Sequence, residues 1–268
     1  MWPEIVRFQH QPKVFKNYGM CGAGNQYIAH QVSLANAEHR FTPDDMVMIC
    51  WTHVFRKDWF LPTGPIHTMF RGDPESNEWQ CEGNVFHPSL LNALMPSELQ
   101  ILSDYLARDL NYIYLTINML NAMGIPNHQM QIVNVTQRID DDPLHSFDQD
   151  EVNHPQLKPL VEFCEQNITE SYDNLINVWP IWFNEFPQDA ETKRCDYHPM
   201  PMDHIKYLTQ TCDMEFSDHT MEVTQRCQDA TFEYIRTQRK TRPADFQNFW
   251  ELFGEHYTGE FKFLDNFL

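Results

Sequence analysis

Met46-Val47-Met48-Ile49-Cys50-Trp51 is an unbroken apolar run, and the residues ahead of it restrict what it can become. A run of this length, set off by Pro43-Asp44-Asp45, suits a strand covered on both faces. Upstream, Ile28, Ala29, Val32 and Ala35 recur at helical spacing and predict a helix from Asn25 to about Ala37. Before that, Val14-Phe15 leads into Tyr18-Gly19, which reads as a short strand closed by a glycine turn. Strand, turn, helix, strand is a βαβ unit, whose crossover is right-handed. That unit, with the further strands and helices read along the chain, points to the α/β class, and the expectation is a three-layer α/β/α sandwich around a mostly parallel sheet.

The remaining chain fits this plan in part. From about Arg56 to Pro96 Pro, Gly, Asp and aromatics are frequent and periodicity is weak, which predicts a long insertion over one end of the sheet. Ser97 is a candidate N-cap for the longest helix. Its stripe is Leu99, Leu102, Leu106, Leu110, Ile113, Ile117, Leu120 and Met123, and Gly124-Ile125-Pro126 ends it. Gln131 to Val135 reads as a strand, and Arg138 to Pro155, with Asp140, Asp141, Asp142, Asp148, Asp150 and Glu151, as a solvated acidic loop without EF-hand spacing. Leu157–Ile176, Asp203–Leu208, Met221–Arg239 and Ala244–Phe253 read as helices, and Trp179 to Phe183 as an apolar cluster of no clear type. No linker is visible, so one domain spanning 1–268 is the expectation, with 213–268 as a helical extension.

Composition excludes several classes. Apolar residues make up 42% and aromatics 13%, enough for a core and against global disorder. The formal charge of -19 repels phosphate backbones and anionic lipid, so neither nucleic acid nor membrane is expected as a partner. No apolar run reaches the roughly 18–20 residues of a membrane span, and the start lacks the layout of a signal peptide, which makes the cytoplasm the expected location. The seven cysteines are odd in number and widely spaced, without CxxC, which speaks against a disulfide framework or a zinc ribbon.

Two segments carry chemistry. Asp196-Tyr197-His198-Pro199-Met200-Pro201 sets a carboxylate two residues before a histidine in a proline-stiffened stretch. A His held beside an Asp is the base half of a nucleophilic site. Gly19-Met20-Cys21-Gly22-Ala23-Gly24-Asn25 places Cys21 at a strand-to-helix turn, where a helix N-terminus lowers a thiol pKa. Backbone N–H groups of Cys21 and Gly22 are the candidate oxyanion donors. Asn25 at the helix start, and Thr52 and His53 at the C-terminal end of a strand, are candidate substrate contacts. Arg56 is a candidate partner for an anionic substrate or for the acidic surface. Thirteen histidines are many, yet no HExxH occurs, and a metal cluster of Asp196, His198, Asp203 and His204 is the weaker alternative. No metal or cofactor is expected; Gly22-x-Gly24 without a third glycine is poor evidence for a dinucleotide site, and no P-loop pattern occurs.

The order of these pieces resembles the SGNH (GDSL-like) hydrolase family over about residues 13 to 208. Gly19-Met20-Cys21 falls where that family carries Gly-Asp-Ser, Asp196-x-His198-Pro199 where it carries its C-terminal Asp and His, and Met46–Trp51 with Thr52-His53 where a strand delivers its Gly-x-Asn-Asp turn. The resemblance implies an esterase or acyl-transfer enzyme acting on a small acyl ester, carbohydrate-borne in many members, with Cys21 as nucleophile, His198 as base and Asp196 as its orienter. The chain departs from the pattern at Cys21, at Met20 and at His53-Val54, where Asn-Asp would stand; Glu82-Gly83-Asn84 offers Asn84 as a substitute donor. The alternative is an inactive SGNH-like protein that binds a glycan or serves in an assembly such as a virus particle. Oligomeric state is not legible.

Overall fold

The computed structural model describes residues 2–19, 23–54, 56–60, 79–82, 102–131, 134–135, 152–170 and 200–238. The chain divides into two compact units, one of residues 19–172 and one of residues 1–18 with 173–268. The fold is mixed α/β.

In the unit of residues 19–172, helix α2 (Asn25–His39) leads to strand β1 (Val47–Trp51). Strands β2 (Lys57–Phe60) and β3 (Trp79–Glu82) pair antiparallel, within the segment expected as an insertion. Helix α3 (Leu102–Ala122), strand β4 (Asn127–Gln131) and helix α4 (Lys158–Asn167) follow. β1 and β4 are parallel, in the register Val47 to Asn127 through Trp51 to Gln131. The parallel unit is therefore β1–α3–β4 in chain order, not one built on a strand at Val14-Phe15.

Turn chemistry sets the ends of these elements. Asp45 accepts from the Thr42 N–H (2.8 Å) and hydroxyl (3.0 Å), closing the turn before β1. Gly124, at φ 69°, ends α3 in the left-handed region, and the Ile125 N–H reaches back to the Leu120 carbonyl at 3.0 Å. The core runs through Ile49 and Trp51 of β1, Leu106, Leu110, Ile113, Ile117 and Leu120 of α3, and Val161 and Cys164 of α4. From Leu106 to Leu120 the stripe read on α3 is thus the face that packs, whereas Met123, its last residue, is exposed; Leu99, the Leu102 side chain and the expected N-cap Ser97 lie outside the described residues.

β4 begins four residues before the strand expected at Gln131–Val135. The reason is chemical: Asn127-His-Gln-Met-Gln has almost no apolar signal, yet its last three residues are buried. Gln129 Oε1 accepts from the Trp51 indole N–H at 2.8 Å, and Gln131 Nε2 donates to the Thr169 carbonyl at 2.8 Å. The buried amides have partners, so burial is tolerated.

In the other unit, helix α1 (Trp2–His10) was not read from the sequence. It packs Ile5 and Phe8 against Ile205 of α5 (Pro201–Cys212) and Val223 and Cys227 of α6 (Asp218–Gln238). Gln9 Oε1 accepts from Ser217 N–H (3.0 Å) and the Thr220 hydroxyl (2.7 Å), tying α1 to the start of α6. Val14 is 65% exposed in a bend, and the strand expected at Val14-Phe15 is not there. Phe15 is half-buried, but Val14 faces solvent between Lys13 and Lys16, and Pro12 just before them cannot donate to a ladder.

α5 starts directly after the Asp196-x-His198-Pro199 block. Pro201 takes the first helical position, where its missing N–H is no loss, and Asp203 Oδ2 accepts from the Met200 N–H at 3.0 Å. The helix is longer at both ends than the Asp203–Leu208 stretch expected. Asp203 and His204, members of the weaker metal alternative, serve here as a cap and as a buried helix residue.

Candidate functional site

The start of α2, the C-terminal end of β1, the start of β2 and the N-terminal half of α3 meet in one buried polar cluster. α2 opens on Gly24, which has no side chain to satisfy the free N–H groups of a helix start. Asp58 of β2 does so from a distance: its Oδ1 accepts from Gly24 N–H and its Oδ2 from Tyr27 N–H, both at 2.8 Å. A carboxylate at this end also answers the positive end of the helix dipole. Arg56, two residues earlier, donates from a guanidinium NH to the Ala23 carbonyl at 3.1 Å. The approach is so close that a Cβ on Gly24 would stand 2.8 Å from Asp58 Oδ2 and 3.1 Å from the Arg56 carbonyl oxygen. Only glycine fits there.

Asn25 is wholly buried. Its Oδ1 accepts from the Thr52 N–H at 2.9 Å, and its Nδ2 donates to the Thr52 carbonyl at 2.8 Å and to Asp109 Oδ2 at 2.9 Å. The side chain thus extends the hydrogen bonding of β1 by one residue past its end. Thr52 is 1% exposed, and its hydroxyl finds no partner among the described residues. His53 is half-buried beside it, and its carbonyl accepts from the Arg56 N–H at 3.4 Å.

Asp109 of α3 has no exposed side-chain surface. Its Oδ1 receives Arg108 Nε at 2.7 Å and a second Arg108 guanidinium nitrogen at 2.6 Å. The Arg108 fork also donates to the Arg56 carbonyl at 3.3 Å, so the cluster closes on itself. Burial pushes the Asp109 carboxyl up to about 7; Arg108 and the Asn25 hydrogen bond pull it down, and the Asp58 charge pushes the same way as burial.

Of the residues singled out in the sequence, Asn25, Thr52, His53 and Arg56 come together here, Arg56 bonded to the Ala23 carbonyl. Cys21, Gly22, Asn84, Asp196 and His198 lie outside the described residues. Asn25 presents no free amide hydrogen to a ligand, because both are used inside the protein. Sequence reading passed over Asp58, Arg108 and Asp109. Asp109 did leave a trace: it stands three residues after Leu106 and four before Ile113, on the apolar stripe itself. A charge at such a position has to be paired. No family model, curated protein or solved structure matches this chain.

Proposed function

We propose that this chain is an ester hydrolase or acyl-transfer enzyme of SGNH-like, three-layer α/β/α architecture, acting in the cytoplasm on a small acyl ester such as an acylated carbohydrate. Cys21 attacks the ester carbonyl carbon. His198 accepts the thiol proton and returns it to the departing alcohol, and Asp196 holds the imidazole in the required tautomer. Water then cleaves the thioester with His198 as base. Gly22, His53 and Asn84 are the candidate substrate contacts, since Thr52 is buried with its N–H and carbonyl both bonded to Asn25, and no cofactor enters the reaction.

The observation that supports this reading is the pinning of Ala23-Gly24-Asn25 to the end of β1 by Asn25, Asp58 and Arg56. A nucleophile needs a rigid turn beneath it, and these buried bonds follow Cys21-Gly22 directly in the chain. The C-terminal end of a parallel strand is also where open α/β sheets place ligands.

A second reading has its own observation. Asp58 puts a carboxylate on the α2 N-terminus, which offsets the dipole that would favour a Cys21 thiolate. That favours an inactive, ligand-binding or assembly role.

Alkylation of Cys21 by iodoacetamide, followed by peptide mass across pH, separates the two. The buried thiols compete poorly, since burial pushes Cys164 up to about 12 and Cys212 upward as well. The enzyme reading expects a Cys21 thiolate forming well below about pH 8, dependent on His198, and p-nitrophenyl ester turnover lost in Cys21→Ala by about a hundredfold or more. Ordinary thiol behaviour without turnover overturns it and leaves the binding role.

A further inference from the structure

Among the described residues, every hydrogen bond to the Asp109 carboxyl is donated to it. The Asn25 amide is fixed, because rotating it by half a turn would set oxygen against the Thr52 carbonyl and nitrogen against the Thr52 N–H. Its remaining hydrogen therefore demands an acceptor at Asp109 Oδ2. The other oxygen takes two donors from Arg108. A proton on Asp109 would have to sit on an oxygen that already faces a donor. The arrangement is built for a carboxylate, in a stripe where leucine or isoleucine would otherwise pack.

We propose that Asp109 is a positioning residue: acting through Asn25, its carboxylate holds Ala23-Gly24-Asn25 against the end of β1, and so sets the reactivity of Cys21, two residues before Ala23. This rests on the reading of Cys21 as the nucleophile. Among the described residues, the groups facing Asp109 are Asn25 from α2, Arg108 from its own helix and Asp58, whose charge reaches it from β2. Burial brings the carboxyl to about 7, so the clamp tightens as pH rises through neutrality and slackens below it.

Two measurements on the full chain test this. In 15N-labelled Cys21→Ala protein, the Asn25 side-chain NH2 resonances, assigned by their loss in Asn25→Gln, are followed from about pH 5 to pH 9. They are expected to titrate with a midpoint near 7 and to be flat when Asp109→Asn is added. In the otherwise native chain, Asp109→Asn is expected to lower kcat for p-nitrophenyl acetate about tenfold, with KM within about twofold. Asn25 resonances that stay flat across this range overturn the proposal, even if Asp109→Asn fails to fold. So does a folded Asp109→Asn enzyme with native kcat and native pH profile. If the native chain shows no Cys21-dependent turnover, the reaction reading fails by itself, and the Asn25 resonances alone decide the role of Asp109.

Discussion

Asp109 shows how one residue can work against the fold that holds it. A carboxylate with no exposed surface loses its hydration, and the neighbouring Arg108 and Asn25 return only part of that cost. Because its folded pKa is raised above the ordinary 3.8, the folded state keeps a proton that the unfolded chain has already released. The stability this contributes is fully present below about pH 4 and is lost as pH rises through about 7. The stability difference between the native chain and Asp109→Asn should therefore shrink, by about 1.4 kcal/mol per pH unit, between those limits and level off above them. Urea midpoints of both proteins at several pH values check this; a difference that grows with pH would contradict it. The charge was visible in the sequence as a break in the 106–113 stripe. Its partners were not, because Asn25 and Asp58 stand 84 and 51 residues away along the chain. The same holds for Gly24, whose need for glycine comes from Asp58 and Arg56 pressing on it.

Among the elements, α3 and β4 mark the two ends of legibility. α3 carries Leu106, Leu110, Ile113, Ile117 and Leu120 at helical spacing, and a period of that kind survives any packing partner. β4 carries two glutamines and a single methionine in its buried half, so no alternation announces it. Its place is decided by the ladder with β1 and by Gln129, which accepts from the Trp51 indole and donates through Nε2 to Asn127 Oδ1 at 2.8 Å. Gln129→Leu should therefore destabilise the protein despite adding apolar surface, since it leaves the indole N–H of a wholly buried tryptophan without its acceptor. The expected loss is about 1–3 kcal/mol, read from urea unfolding by tryptophan fluorescence; an unchanged or raised midpoint would show that the indole finds another partner. The mirror case is Val14, apolar by type yet 65% exposed in a bend.

For the molecule as a whole, 38 acidic against 19 basic residues make self-repulsion a standing cost of compactness. Added NaCl screens charges over distances of about 10 Å at 0.1 M, so the urea midpoint should rise with salt up to a few tenths molar. A midpoint that falls would mean that attractive pairs, such as Arg7 with Glu4 at 3.0 Å, outweigh the repulsion. Among the described residues no helix is long and apolar enough to cross a membrane. The α/β class follows from patterns that repeat within a few residues, and the sequence by itself determined it, together with the packing stripe of α3, the glycine that ends α3 and the run that becomes β1. Tertiary structure decided which strand pairs with β1, that a helix occupies residues 2–10, and that Asn25, Thr52, Asp58, Arg108 and Asp109 form one cluster. The physical reason is range. Helical period and turn chemistry are local properties of the chain, whereas a buried charge or amide is tolerated only by partners that folding brings from far along it.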